Sequence, residues 1–423
     1  MTLRTPRAEP PQNARSCCVC GSSSQTAIFR QTFAPFEAAL TDGYSVVACA
    51  ACGFCFADPA PRQDALDAYY RDLSKYEHPL GDSRPDPLET ARHERTVEIL
   101  RPWIPSPRSR ILDIGCSTGA LLDLLSRAGF PDVQGWDPSP RCAALARQLY
   151  GIDVSARTLA DGGDPGGPFD LIVLIGVLEH VRDLHAALGR LEGALAPGGL
   201  LYLDVPDAAH FHEWVDAPYQ QFSAEHINFF SAASLGGLLG SRRFEALWLR
   251  HDVHQLTERS SMPAVRALFR RKAAPDRHSL EHDTASERAL HEYVLRSSEW
   301  EARILPAVNT LAETRQPVLL WGAGTLARRL LAVSRLREAN LAGIIDSNPR
   351  YHGKLLAGRP VLAPAAVAGR NEPILIASLG SEQEIERQVR DTLGGGNPIL
   401  RLPGPDADAT VGRGPSGPEA RTE

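Results

Sequence analysis

Eight cysteines occur in the 423-residue sequence, and six of them lie between residues 17 and 55. Two C-x2-C pairs in this segment supply four thiolates at the spacing that closes a tetrahedron around zinc. The predicted ligands are Cys17, Cys20, Cys49 and Cys52. Four protein ligands leave no position for substrate, so we expect a structural ion. Cys18 and Cys55 are spare thiols in the same segment, and a cluster of free cysteines without metal is the alternative.

The apolar run Ile111–Ile114 leads into a glycine-rich turn, and the segment from Asp113 to Gly119 reads Asp-Ile-Gly-Cys-Ser-Thr-Gly. Glycines here let backbone N–H groups approach a ligand closely, and the Asp113 carboxylate could meet a cationic ligand group. After a second apolar run, Asp137 follows the turn at roughly the 20-residue interval at which a carboxylate binds ribose hydroxyls in doubly wound folds. These residues together predict an adenosine pocket.

Two histidines stand next to carboxylates and could transfer protons near neutral pH, where imidazole titrates. His226 follows Glu225, and His180 follows Glu179 after another apolar run. We predict His226 as a general base with Glu225 as its support. His180 is the second candidate, with packing at the edge of a pocket as its alternative role.

Short apolar runs alternate with helical patterns around these residues, which is typical of a parallel sheet covered by helices. One set of runs lies between residues 111 and 205, and a second lies between residues 318 and 377. The second set begins with a G-x-G-x-x-A turn, and Asp346 follows it at roughly the 20-residue interval of a dinucleotide fingerprint. The sequence therefore predicts an α/β protein with two nucleotide-binding-like units.

The order of motifs between residues 108 and 250 resembles that of class I S-adenosylmethionine-dependent methyltransferases. The shared features are the first glycine motif, the acidic residue after the second strand, the Leu-Glu-His turn at residues 178–180 and the Pro-Gly-Gly turn at residues 197–199. The resemblance implies an enzyme that binds S-adenosylmethionine. The predicted donor-binding residues are Asp113, Gly115, Cys116, Gly119, Asp137 and Glu179.

From about Cys17 to Leu402 the chain looks like the sugar C-methyltransferases that act on nucleotide-linked 4-keto-deoxysugars. This resemblance implies that His226 removes the proton α to the ketone, that Glu225 supports it and that Tyr76 assists. Ser223 and Ala224 stand where that family commonly has Tyr and His. O-methylation of a sugar or another secondary metabolite therefore stays an alternative, as does NAD-linked oxidoreduction by the C-terminal domain.

The same resemblance favours recognition of a nucleotide-sugar diphosphate at the second glycine turn, with NAD binding and a structural role as alternatives. The predicted substrate-binding residues are Gly322, Gly324, Thr325 and Asp346. The fold prediction is a Rossmann-like methyltransferase core with an N-terminal zinc-binding module and a second, smaller Rossmann-like C-terminal domain. Its boundaries are a disordered tail (1–15), the zinc-binding module (16–62), a helical lead-in (63–107), the core (108–250), a helical connector (251–316), the C-terminal domain (317–402) and a second disordered tail (403–423).

The charge balance and hydropathy of the chain limit its partners. A net charge of −6 provides no basic surface for a phosphate backbone, so we expect no nucleic-acid partner. No stretch reaches the ~20 apolar residues that a membrane helix requires, and residues 1–15 lack the apolar region of a secretion signal. We therefore expect a cytoplasmic protein that acts on a small molecule, with its oligomeric state left open.

Overall fold

The computed structural model describes residues 15–73, 86–161, 166–257, 260–274 and 280–404. Three sheets with helices against them confirm the predicted α/β class. The strands are β1 (Gln25–Thr32), β2 (Gly43–Cys49), β3 (Cys55–Asp58), β4 (Ile111–Ile114), β5 (Val133–Asp137), β6 (Val154–Ala156), β7 (Phe169–Ile175), β8 (Leu195–Pro206), β9 (Asn228–Phe229), β10 (Phe244–Gln255), β11 (Ser261–Arg271), β12 (Val318–Trp321), β13 (Leu341–Ile345), β14 (Leu355–Leu356), β15 (Arg359–Leu362), β16 (Ile374–Ile376) and β17 (Ile399–Leu400). The α-helices are α1 (Gln63–Leu73), α2 (Pro87–Leu100), α3 (Ala120–Arg127), α4 (Pro140–Tyr150), α5 (Leu184–Ala194), α6 (Ala232–Gly240), α7 (Thr284–Thr314), α8 (Thr325–Val333) and α9 (Glu382–Arg387).

The central sheet has seven strands in the order β10-β11-β8-β7-β4-β5-β6. From β8 to β6 neighbouring strands are parallel, and β4 is buried along its whole length, as expected for a strand covered on both faces. Parallel strands end at one edge of the sheet. The turns after β4, β5, β7 and β8 therefore meet there, at the edge where doubly wound folds bind ligands.

The predicted helical connector over residues 251–316 is wrong in its first part. β10 continues to Gln255, and β11 pairs antiparallel with both β10 and β8. Arg266, one of the charged residues of this segment, is buried in the sheet. Its guanidinium lies 3.0 Å from Asp204 and 2.9 Å from Asp252, and this pairing allows a cation to occupy a buried strand. Helix α7 forms the later part of the segment.

The N-terminal module is an antiparallel sheet in the order β1-β2-β3-β9, so its fourth strand comes from a distant part of the chain. The predicted disordered tail over residues 1–15 is wrong at Arg15, which is buried against this sheet. The backbone N–H of Arg15 donates to Asp58 (2.9 Å), and its guanidinium donates to the carbonyl of Ile227 (3.2 Å). Residues 1–14 lie outside the described part.

The C-terminal sheet runs in the order β14-β15-β13-β12-β16-β17 and is parallel except for β14. The loop between β1 and β2 packs on this unit, with the Phe36 ring 5.0 Å from that of Tyr351. The buried guanidinium of Arg329 bonds both carboxylate oxygens of Glu301 (2.6 and 2.8 Å) and the amide oxygen of Gln31 (2.7 Å). The N-terminal module thus contacts both α/β units.

Among the described helices, none combines the length and the apolar character that crossing a membrane requires.

Candidate active site

The turn after β4 has the geometry that its glycines predict. Gly115 adopts φ 78°, and a Cβ at this position would lie 2.6 Å from a methyl carbon of Val177. Its N–H donates to the carbonyl of Trp136 at 2.7 Å. Gly119 adopts φ 81° and caps the start of α3. The turn therefore needs glycine at both positions, and it directs the N-terminus of a helix at the ligand-binding edge of the sheet.

Two buried carboxylates flank this turn. Asp137 accepts the N–H of Ser117 and the N–H of Ser139, each at 2.9 Å, so it fixes the glycine turn against the end of β5. Burial and the charge of Asp137 raise the pKa of Asp113 well above its usual value. A cationic ligand group beside Asp113 would offset both effects, because it stabilises the ionised carboxylate.

One cleft at this edge collects most of the residues predicted to carry chemistry. Its walls come from the ends of β4, β5, β7 and β8, from α1 and α2, and from the segment before β9. The predicted residues that line it are Asp113, Gly115, Cys116, Asp137, Glu179, His180, Glu225 and His226. Donor-binding and proton-transferring candidates from separate parts of the sequence therefore share one cavity.

The two histidines lie side by side in the cleft. Their ring centroids are 5.0 Å apart, and polar atoms of Glu179, His180 and His226 all lie within 4.8 Å of one another. The Nδ1 of His180 lies 2.9 Å from the carbonyl oxygen of Glu225 and 2.9 Å from the hydroxyl of Tyr70. Because a carbonyl only accepts, Nδ1 carries a hydrogen, and Nε2 is the basic nitrogen of the neutral ring.

Buried Asn228 joins the two histidine-bearing segments. Its side-chain amide donates to the carbonyls of Leu178 (2.8 Å) and Val181 (2.7 Å), on either side of the His180 turn. Its own oxygen accepts from the guanidinium of Arg15 at 2.9 Å. Since Asn228 belongs to β9, the position of His226 depends on the N-terminal sheet.

Glu225 contributes two groups to the cleft, and its predicted support of His226 stays a prediction. Its backbone carbonyl holds His180, while its negative charge, together with burial, raises the pKa of Tyr69 well above the usual value. The hydroxyl of Tyr69 interacts in turn with Tyr351 of the C-terminal unit. The charge of Glu225 therefore acts on the tyrosines at the contact with the C-terminal unit.

Sequence reasoning missed several residues that line the cleft, and Tyr70 and Arg157 are two of them. Tyr70, whose hydroxyl reaches His180, lies in the predicted helical lead-in, but the tyrosine predicted to assist is Tyr76, which lies outside the described residues. Arg157 follows β6 and stacks over the ring of Trp136 at 4.1 Å. Strand β6 has only three residues, and a run that short gives no readable pattern.

The structure brings the four predicted zinc ligands together. The sulfur of Cys17 lies 3.6 Å from that of Cys52, the sulfur of Cys20 lies 3.4 Å from that of Cys49, and all four lie within 4.8 Å of one another. Zinc–sulfur bonds of about 2.3 Å in a tetrahedron place sulfur atoms about 3.8 Å apart, so this donor set fits zinc. The hydrogen bond between Cys17 and Cys52 lowers the pKa of Cys17 to about 5 and raises that of Cys52, so one proton is shared by these two sulfur atoms.

The two spare thiols point elsewhere. The Cys18 thiol donates to Asn228 at 3.6 Å and the Cys55 thiol donates to the carbonyl of Gly53 at 3.4 Å. Burial raises the pKa of Cys18 to about 12, so this thiol stays protonated near neutral pH.

The glycine turn of the C-terminal unit repeats the arrangement of the first one. Asp346 accepts the N–H of Ala323 and the N–H of Asn348, each at 2.8 Å, as Asp137 does in the central unit. Gly322 has φ 116°, and α8 begins at Thr325 after Gly324. None of the four predicted substrate-binding residues of this unit is among those that line the histidine cleft.

Comparison with known proteins matches residues 88–247 to the family model described as a methyltransferase domain. The C-methyltransferase NovU of Streptomyces niveus is 26% identical over 314 residues, which cover 70% of this chain and 72% of that protein. The ubiquinone biosynthesis O-methyltransferase of Xylella fastidiosa (strain 9a5c) is 28% identical over 48% of this chain and 82% of its own length. A protein of the same description from Bradyrhizobium sp. (strain ORS 278) is 39% identical, but over only 22% of this chain and 38% of that protein.

Proposed function

We propose that this chain, whose residues 88–247 match the methyltransferase-domain model, is an S-adenosylmethionine-dependent methyltransferase that methylates a carbon atom next to the ketone of a nucleotide-linked deoxysugar. The proposal rests on one observation: the imidazoles of His180 and His226 line the same cleft as the glycine turn after β4. A carbon acid needs a base before it can accept a methyl group, whereas a preformed nucleophile does not. The relative from Streptomyces niveus is a C-methyltransferase by name, which supports this choice.

His226 is the proposed base. It takes the proton α to the ketone, and the electron pair left on the acceptor forms the new carbon–carbon bond. S-adenosylmethionine supplies the methyl group from its sulfonium sulfur, which keeps the electron pair of the broken carbon–sulfur bond. The neighbouring imidazole of His180, whose Nδ1–H is held by the Glu225 carbonyl, presents its basic nitrogen to the same region and orients the acceptor.

Tyr70 is the tyrosine proposed to assist proton transfer, because its hydroxyl lies 2.9 Å from the Nδ1 of His180. Tyr76 is a second proposal for the same role. The Glu225 carboxylate is proposed to bind the sugar on the side of the cleft that borders Tyr69 and Tyr351.

Two measurements test the proposed reaction. Incubation of a panel of nucleotide-linked keto-sugars with labelled S-adenosylmethionine should give one product that is heavier by one methyl group, and NMR should place that group on carbon. In D2O, without methyl donor, the enzyme should exchange the α proton of the acceptor, and the His226→Ala variant should not. A methylated product with no α-proton exchange in the wild type would reject His226 as a carbon base.

The C-terminal unit is proposed to hold the nucleotide diphosphate at the turn from Gly322 to Thr325. A Cβ on Gly324 would meet nothing within 4 Å, and its φ of −82° suits any residue, so Gly324→Ala should fold normally. A phosphate seated on the turn would collide with the added methyl group. The variant should therefore raise KM for the nucleotide-linked acceptor and leave the affinity for the methyl donor unchanged, while an unchanged acceptor KM would argue against the site.

O-methylation is the second candidate, because two of the relatives above are O-methyltransferases by name and an imidazole deprotonates a hydroxyl as readily as a carbon acid. A product whose new methyl group is bonded to oxygen in the NMR spectrum would select it.

A further inference from the structure

Three polar side chains outside the cleft converge on one point next to the end of β8. The carboxylate oxygen Oδ2 of Asp207 lies 2.8 Å from Nδ1 of His210 and 3.0 Å from Nδ1 of His251. The two imidazole rings lie against each other, with centroids 3.8 Å apart. One carboxylate and two imidazoles thus present three ligand atoms at a single place.

The three side chains come from two elements, because Asp207 caps the turn that carries His210 and only His251 comes from another part of the chain. Asp207 is 2% exposed, its N–H donates to the carbonyl of Pro263 (2.9 Å), and its Oδ1 accepts the N–H of Ala209 (3.1 Å). His210 lies on the 3₁₀ turn Ala208–Glu213, and His251 lies on β10. Asp207 and His210 are close in sequence, but only the tertiary structure brings His251 to them.

The charge around this cluster favours a cation. Asp204, three residues earlier, is neutralised by Arg266 at 3.0 Å, whereas Asp207 lies against two imidazoles. A further carboxylate oxygen, from Glu213, lies 4.0 Å from Nε2 of His210. The hydrogen bond to Asp207 raises the pKa of His210, so a proton balances the carboxylate when no ion is bound. With both imidazoles neutral, as metal ligands are, the cluster carries a net negative charge, and a bound metal ion would replace that proton.

We propose that Asp207, His210 and His251 bind a divalent transition-metal ion of the zinc type. With metal–ligand bonds of about 2.0–2.1 Å, tetrahedral ligand atoms are about 3.3 Å apart, so separations of 2.8 and 3.0 Å need only a small expansion. With the metal ion on Nδ1, the Nε2 of His210 carries the hydrogen and faces Glu213. Metal-bound histidines commonly donate this second ring N–H to a carboxylate, which fixes the orientation of the ring.

This site is separate from both the methyl-transfer cleft and the cysteine cluster. Its two histidines are partly exposed, with 31% and 34% of their side chains accessible, so water can complete the coordination of the ion. The ion would link the 3₁₀ turn after β8 to the edge strand β10. Its role does not depend on which acceptor the enzyme methylates.

The test measures zinc itself on the purified full-length protein. X-ray absorption at the zinc edge of the zinc-loaded wild type should show nitrogen and oxygen ligands, including imidazole, in addition to sulfur. His210→Ala and His251→Ala should each remove one equivalent of bound zinc, measured by mass spectrometry after exhaustive dialysis. His212→Ala is the matched control, because His212 lies on the same 3₁₀ turn but outside the cluster.

An X-ray absorption spectrum of the wild type with sulfur ligands only would overturn the proposal. This measurement needs no substituted protein. Retention of the full zinc content by both His210→Ala and His251→Ala would also overturn it. Loss of the same equivalent in His212→Ala would show that the ion binds histidines of the surface without a defined site, and would equally reject the assignment.

Discussion

The hydroxyl of Tyr70 lies in the cleft at 2.9 Å from the Nδ1 of His180. We predict that Tyr70→Phe lowers kcat for methyl transfer about fivefold, since a hydrogen bond contributes about 1 kcal/mol and 1.4 kcal/mol corresponds to a factor of ten. Steady-state kinetics with the identified acceptor measures this effect. The affinity for S-adenosylhomocysteine, measured by calorimetry, should not change. An unaltered kcat would show that the Tyr70 hydroxyl has no part in methyl transfer.

Gly115 provides a second prediction at the residue scale. Gly115→Ala should raise the Kd for S-adenosylhomocysteine at least about tenfold, because the left-handed backbone disfavours a side chain and the new Cβ would lie 2.6 Å from Val177. Gly129→Ala is the control: its φ is also positive, at 103°, but a Cβ there meets nothing within 4 Å. Equal losses of donor affinity in both variants would assign the effect to general instability and not to the turn.

At the scale of elements, the short pairing of β9 with β3 connects the cysteine cluster to His226. Cys55 pairs with Phe229 and Phe56 pairs with Asn228, so the strand that follows His226 is the edge of the N-terminal sheet. A structural ion that stabilises this sheet would therefore affect catalysis by fixing the position of His226, without contacting the substrate.

The corresponding prediction uses one proposed ligand and one spare thiol. Cys20→Ser should lose one equivalent of zinc and reduce methyl transfer at least about tenfold, while donor affinity stays near that of the wild type because the glycine turn lies in another sheet. Cys18→Ser should keep its zinc, since Cys18 points at Asn228. Zinc content and kcat of the two variants would decide the matter, and loss of zinc from Cys18→Ser would mean that the ligand set is different.

At the scale of the whole molecule, Arg329 joins the C-terminal unit to α7 and to the N-terminal module. Arg329→Met should destabilise the protein by about 3–5 kcal/mol, because it leaves the buried Glu301 carboxylate without its partner. Arg335→Ala removes ion pairs that are about half exposed and should change stability by less than about 0.5 kcal/mol. Urea unfolding of both variants compares them, and equal midpoints would contradict the prediction.

Strong local patterns allowed much of this molecule to be predicted. The apolar run Ile111–Ile114 is β4 residue for residue, because a parallel strand buried on both faces has no polar alternation to obscure it. The glycine turn and Asp137 were also identifiable, since their backbone geometry restricts which residues fit. The pairing of β11 was not, because its charged residues are neutralised by partners from other elements.

The sequence by itself determined the α/β class, the glycine turn after β4 and the set of four cysteines that fits zinc. Each of these follows from the spacing of residues within a short segment. Only the tertiary structure placed His226 next to the edge strand of the N-terminal sheet, brought the charge of Glu225 within range of Tyr69 and brought His251 to Asp207. The physical reason is that these contacts join residues far apart in the chain. Such contacts depend on how separate sheets pack, and no local periodicity encodes that packing.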